Sequence, residues 1–194
     1  VIRSLLCTLL VTQLFACASL APVGKSLESG SAEYNKRAIL AMKDWGLIGR
    51  LSVRTAKESW LSRLEWQHSV AGDVLIISTS LGGVHARLRF VASRIYLTES
   101  DGVARELSWG ELESLLGYVP PVRRLKYWLR GLPDPSRSIS EDKWFAGGAR
   151  EFMQDDWQIK LERISESRGV FLPKKVTTTG QGVKVKLVIE EWLN

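Results

Sequence analysis

The feature that most limits how this chain can fold is a two-residue hydropathy period that recurs along most of its length. In LIGRLSVRT, Leu47, Leu51 and Val53 alternate with Ile48, Arg50, Ser52 and Arg54. In SWLSRLEWQ, Trp60, Leu64 and Trp66 alternate with Leu61, Arg63 and Glu65, and in VHARLRFV, Val84, Ala86, Leu88 and Phe90 alternate with His85, Arg87 and Arg89. Successive side chains of a strand point to opposite faces, so each segment reads as a strand with one apolar and one charged face. DVLIIST is apolar on both faces, and its second side needs another cover. RIYLTE and residues 103–108 flank Ser100-Asp101-Gly102, a hairpin turn. Further on, Trp157, Ile159 and Leu161 alternate with Gln158, Lys160 and Glu162. Phe171 to Thr179 reads as a strand whose Pro173 suggests an edge or a start. After the turn Gly180-Gln181-Gly182, Val183, Val185, Leu187 and Ile189 alternate with Lys184 and Lys186.

Between these strands the period changes to that of a helix. One helix is predicted from Ala32 to Trp45, with Tyr34, Ile39, Leu40, Met42 and Trp45 on one side and Gly46 ending it. Ser108 followed by Glu111 is a capping-box pattern, and Leu112, Leu115 and Leu116 give that helix an apolar stripe. Pro120-Pro121 starts another, PVRRLKYWLRG, with Leu125, Trp128 and Leu129 on one face and Gly131 as its stop. Helices that interrupt a meander, rather than alternate with strands, predict an α+β fold with helices on one face of a curved antiparallel sheet. Trp60, Trp66, Phe90 and Trp157 are bulky for a flat sheet under short helices. A close-packed core and a partly enclosed cavity both accommodate them.

The N-terminus carries an address. Arg3 precedes an apolar run that ends in Leu14-Phe15-Ala16-Cys17. A charged start, an apolar stretch and a small residue at the cut describe a secretory signal peptide, and a Cys directly after the cut makes it that of a bacterial lipoprotein. An ordinary signal with an incidental Cys is the alternative. Spanning a bilayer takes about 20 apolar residues, so this run is too short to span, and the mature protein is expected to be anchored by acyl chains on Cys17. The division expected is 1–16 signal peptide, 17–31 lipidated Cys and flexible tether, and 32–194 folded domain. Cys7 lies within the signal, which leaves no pair for an intrachain disulfide. By resemblance to Gram-negative lipoproteins, Ala18 after Cys17 points to the outer membrane.

No catalytic motif stands out. There is no G-x-S-x-G, H-E-x-x-H, C-x-x-C or P-loop, and Gly180-x-Gly182 meets Val185 where a dinucleotide fingerprint needs its third Gly. His68 and His85 have no obvious companions and read as solvent-facing, so no metal, no cofactor and no enzymatic role is expected. The net charge of +6 suits anionic lipid headgroups or an acidic protein, and an exported lipoprotein has no call for nucleic acid.

Several segments, taken in order, resemble the LolB family of outer-membrane lipoproteins. They are the Cys17 lipobox, LIGRLSVRT with SRLEWQH, Leu81-Gly82 after an apolar strand, LKYWLRGLPDP at 125–135, and LPKKVTTT with VKVKLVIEEWLN. The resemblance implies an incompletely closed antiparallel β-barrel with a helical lid over an apolar cavity. It also implies a monomer, lipid-anchored on the periplasmic face of the outer membrane. Such a protein accepts acylated lipoproteins from the soluble carrier LolA and inserts them among outer-membrane lipids. A lipoprotein scaffold or assembly factor with a filled core, and an exported lipid-modifying hydrolase, are the competing readings.

Residue by residue, the resemblance makes Leu81, with Gly82, the tip that enters the bilayer, although a Leu folded back into the core fits the pattern too. Inward parity nominates Leu51, Val53, Trp60, Leu64, Trp66, Leu88 and Phe90, with the helix residues Leu116 and Trp128, as lining of the acyl site. Arg50, Arg54, Arg63, Arg87 and Arg89 share the charged parity. They form either a solvated outer face or a surface that steers an acidic carrier.

Overall fold

The computed structural model describes residues 29–79, 83–99 and 101–193. The signal segment, Cys17, the tether up to residue 28, and Leu81 and Gly82 lie outside the described residues. Helix α1 (Ser29–Ala41) is followed by strands β1 (Trp45–Arg54), β2 (Ser59–Ser69), β3 (Gly72–Ser78), β4 (Val84–Val91), β5 (Arg94–Thr98) and β6 (Ala104–Leu107). Helices α2 (Trp109–Leu116) and α3 (Val122–Trp128) follow. The chain then returns to β7 (Ser140–Trp144), β8 (Arg150–Gln154), β9 (Trp157–Ser167), β10 (Val170–Gly180) and β11 (Val183–Leu193).

The strands make one antiparallel 11-stranded sheet in the order β6-β5-β4-β3-β2-β1-β11-β10-β9-β8-β7. The first and last strands are neighbours at its centre. β6 and β7 are its two free edges, so the sheet curves without closing. α2 and α3 lie in the connection between those edges, which carries them across the concave face.

Register follows from the alternation. One row of inward residues runs Trp192, Leu47, Trp66, Leu75, Leu88, Leu97 across six adjacent strands. A slip of one residue in any pair would turn that strand's apolar side chains to water. Each fully buried large side chain contributes roughly 1.5–3 kcal/mol, so register is strongly held. β1 and β11 shift register between Ile48 and Gly49. A Cβ on Gly49 would sit 2.5 Å from the Val188 carbonyl oxygen, so only glycine permits this approach.

The structure departs from the sequence expectations in five places. The first helix ends at Ala41, and Trp45 opens β1 instead of closing the helix. Its contact face is not the predicted stripe, because Tyr34 is 70% and Leu40 48% exposed. It is held by Ile39 and by Asn35, whose amide donates to the Phe171 carbonyl (3.0 Å) and accepts from the Phe171 N–H (2.7 Å). Pro173 is not at the start of its strand, and only locally at an edge. It lies inside β10 opposite Ile164 of β9, on a stretch where the β11 ladder has ended, so its missing N–H interrupts no pairing. β7 and β8 have no counterpart in the sequence reading. Finally, Leu115 of the expected α2 stripe is half exposed, while Leu112 and Leu116 are buried.

Candidate functional site: an apolar cavity under a helical lid

Between the concave face of the sheet and the helical connection lies a small apolar cavity of about 60 Å³. The sheet contributes Leu51, Trp60, Leu64, Trp66, Leu75, Ile77, Leu88, Phe90, Val185 and Leu187. The connection contributes Leu116, Tyr118, Pro120, Val122, Leu125 and Leu129. Burial pushes the Tyr118 phenol up to about 12, which fits a dry environment. Beside the cavity, at one end of the sheet, lies an open cleft of about 640 Å³. It is lined by Trp60, Leu61, Ser62, Ile77, Thr79, Ala86, Glu99, Leu115 and Leu116. Trp60, Ile77 and Leu116 face both spaces.

The lid is built from local signals. Ser108 caps α2, its hydroxyl oxygen accepting from the Glu111 N–H at 3.2 Å. The Glu111 carboxylate accepts from the Ser108 backbone N–H and hydroxyl, each at 2.8 Å, completing the capping box. These hydrogen bonds, with Arg105 at 3.2 Å, hold the Glu111 carboxyl below its usual value, the backbone N–H of Ser108 being the main cause. Gly117 ends the helix at φ 77°, where a side chain would be strained, and a Cβ there would meet the Glu58 carboxylate at 2.7 Å.

α3 is tied down at its far end. The buried Gln154 side chain accepts from Trp128 Nε1 (2.7 Å) and the Asp134 N–H (3.0 Å), and donates to the carbonyls of Asp134 (2.8 Å) and Arg137 (3.2 Å). Arg130, 5% exposed, donates to the Ile39 carbonyl at the end of α1 (2.9 Å) and lies over the Trp45 and Tyr127 rings. Burial lowers its guanidinium from the usual value, opposed by Tyr127 and Asp73. Among the described residues it has no direct ion pair, and the carbonyl at the end of α1 supplies part of the compensating negative charge.

Of the residues nominated from sequence, Leu51, Trp60, Leu64, Trp66, Leu88, Phe90 and Leu116 line the cavity. Val53 and Trp128 do not. Both are fully buried, but Trp128 turns toward Gln154 and Trp157 rather than into the cavity. Leu75 and Ile77 were not nominated, because DVLIIST is apolar on both faces and only its pairing with Trp66 and Leu64 decides which side is inner. Val185 and Leu187 were visible as an apolar face, without a signal that this face reaches the lid.

The five arginines stand on the outer face but do not make one surface. Arg50 and Arg63 face each other across β1 and β2 and share Glu190, at 3.0 and 3.1 Å. Arg87 and Arg89 lie on β4, beyond the half-buried outer side of β3, and Arg89 covers the Tyr96 ring. Arg54 is grouped instead with lysines of β9, β10 and β11. His68 is not solvent-facing. Its ring is within 2.7 Å of Asp73, which also accepts from Trp66 Nε1 at 2.8 Å. Among the described residues no group of three or more His, Cys, Asp or Glu is placed to hold a metal, and no helix is long and apolar enough to cross a membrane.

Comparison with known proteins bears on this arrangement. Residues 43–192 match the family described as "Outer membrane lipoprotein LolB". The chain is 28% identical to the "Outer-membrane lipoprotein LolB" of Azoarcus sp. (strain BH72) over 182 residues, 90% of this chain and 94% of that one. It is 30% identical to the protein of the same name from Alkalilimnicola ehrlichii, covering 98% and 96% of the two chains. Among solved structures, a LolA superfamily protein from Nitrosomonas europaea superposes with a TM-score of 0.50 at 7% identity, over 87% of this chain and 94% of that one. At that identity the likeness concerns the fold alone.

Proposed function

The chain belongs to the outer membrane lipoprotein LolB family, and from that premise we propose that it accepts acylated lipoproteins from the periplasmic carrier LolA and delivers them into the outer membrane. In this reading the acyl chains of Cys17 hold it on the periplasmic face, and the transfer is non-catalytic. The observation that carries the reading is the apolar cavity beneath a short helical lid, continuous in its lining with an open cleft through Trp60, Ile77 and Leu116.

The physics of the cargo explains why such a space is needed. Each buried CH₂ is worth roughly 0.8 kcal/mol, so one long acyl chain represents on the order of 10 kcal/mol against exposure to water. A receptor must take that surface directly from its carrier. A preformed apolar space with few polar groups suits chains of varied length. The cavity, about 60 Å³, is smaller than one such chain. Loading therefore requires α2 and the 118–125 segment to move away from the sheet and merge the cavity with the cleft. Leu81, carried over from the family resemblance, is proposed to enter the bilayer during release.

The small size of the cavity also favours a second reading, a lipoprotein scaffold whose core is simply filled. Incubation with carrier preloaded with lipoprotein separates the two. Cargo moves onto this protein under the first reading and stays on the carrier under the second.

A further inference from the structure

We infer that the outer face of β1, β11, β10 and β9, at the end of the sheet where the cleft opens, is a docking surface for the phosphate headgroups of an anionic phospholipid bilayer. Two adjacent rows of the sheet carry it. In the outermost, Arg54 of β1 pairs with Lys184 of β11, which faces Thr179 of β10. In the next, Ser52, Lys186, Thr177 and Lys160 lie side by side across β1, β11, β10 and β9.

All of these but Thr179 line a shallow depression of about 380 Å³ together with Lys175 and Glu162. Glu162 is taken by Lys175 at 2.9 Å, Glu190 is taken by Arg50 and Arg63, and Glu151, opposite Lys160 on β8, accepts from the Gln158 amide at 2.9 Å. Arg54, Lys160, Lys184 and Lys186 are all exposed and have no ion pair among the described residues. Four cations held this close repel one another until an anion sits among them. The Ser52 and Thr177 hydroxyls add donors suited to phosphate oxygens.

A lipid surface fits better than a protein for one reason of pattern. Interfaces between proteins place apolar side chains at the centre and charges at the rim. Here the centre is cationic, and the apolar group is at its margin. Leu61 is the cross-strand neighbour of Ser52, is 78% exposed, and also lines the open cleft. Cations beside a projecting aliphatic side chain match a membrane interface, where phosphates lie outside the acyl region. Docked this way, the cleft opening is turned toward the bilayer. The surface is independent of whether the cavity takes an acyl chain, and its test uses no cargo.

The test is amine-reactive footprinting of the full, lipidated chain reconstituted in phosphatidylcholine vesicles with or without phosphatidylglycerol. Lys160, Lys184 and Lys186 should react about threefold or more slowly in the anionic vesicles and recover at about 0.5 M salt, where the screening length falls to a few ångströms. Lys143 on the β7 edge should be unchanged. In a Lys184→Gln/Lys186→Gln variant, whose exposed positions leave the core untouched, Lys160 should lose its protection. Equal reactivity of the three lysines in both vesicles overturns the proposal. So does protection that arises only on adding an acidic carrier protein.

Discussion

Trp60 of β2 and Leu116 at the end of α2 face both the small apolar cavity and the open cleft, so this pair stands where the two spaces meet. Trp60 is held by the β1 and β2 ladder opposite Val53. Leu116 belongs to a helix of 8 residues that ends at Gly117 and is not part of the sheet ladder.

Leu116→Trp should fill the passage and reduce cargo acceptance severalfold while leaving the near-ultraviolet dichroism of the fold intact. Leu116→Ala should widen it, at a cost of about 2–4 kcal/mol in stability because a buried side chain is truncated. Acceptance assays read the first effect and urea unfolding the second. If both variants accept cargo at the same rate, Leu116 does not control entry.

Gln154→Ala should destabilise the protein by about 3 kcal/mol, measured by urea unfolding. It leaves Trp128 Nε1 and the Asp134 N–H without their acceptor in a buried site and removes the Gln154 donor from the Arg137 carbonyl, while the Asp134 carbonyl keeps the Arg137 N–H. A cost near zero would mean that water replaces the amide there.

The capping box makes the lid sensitive to acid. The folded Glu111 carboxyl lies below its usual value of 4.5. Its contribution is therefore fully present above that value and is lost as pH falls through the lowered one. Backbone amides of residues 109–116 should lose exchange protection between neutral pH and about pH 3, after correction for intrinsic rates. Glu111→Ala should abolish that pH dependence. Protection independent of pH in both proteins would show that the cap does not hold the lid.

Much of the sheet was legible because half-buried strands with one wet face carry a period of two. The positions of Leu64, Trp66, Leu88 and Phe90 on the concave side follow from parity alone. The capping box at Ser108 and the Pro-initiated α3 were equally plain. β7 was invisible because every one of its residues is exposed. It is held by side chains, Arg150 gripping Asp142 at 2.8 and 2.9 Å and lying over Trp144, which leaves no hydropathy pattern. Trp128 was misplaced because a seven-residue helix presents two apolar sides, and only the distant Gln154 decides which one faces the cavity. Arg130 and the His68 and Asp73 pair went unnoticed for a related reason. Their partners are backbone carbonyls, rings and a residue across a turn, none of which forms a spaced motif.

Leu81→Glu should leave folding and acceptance from the carrier nearly unchanged while impairing release into liposomes. Burying one Leu in lipid contributes roughly 1.5–3 kcal/mol, too little to anchor a protein but enough to orient one already held at the surface. A two-step assay that scores acceptance and then liposome incorporation checks this. Normal incorporation, or failure already at acceptance, would remove the role assigned to Leu81.

The central claim is that cargo acyl chains enter the space beneath α2. The most direct measurement places a photoactivatable amino acid at Leu88 or Leu64, both on the cavity wall, and mixes the protein with carrier loaded with acylated lipoprotein. The account predicts that cargo leaves the carrier and is cross-linked at these positions through its acyl chains. An equivalent probe on the outer face, at Lys184, should capture none. Cargo that stays on the carrier, or that transfers without cross-linking at either cavity position, would contradict it.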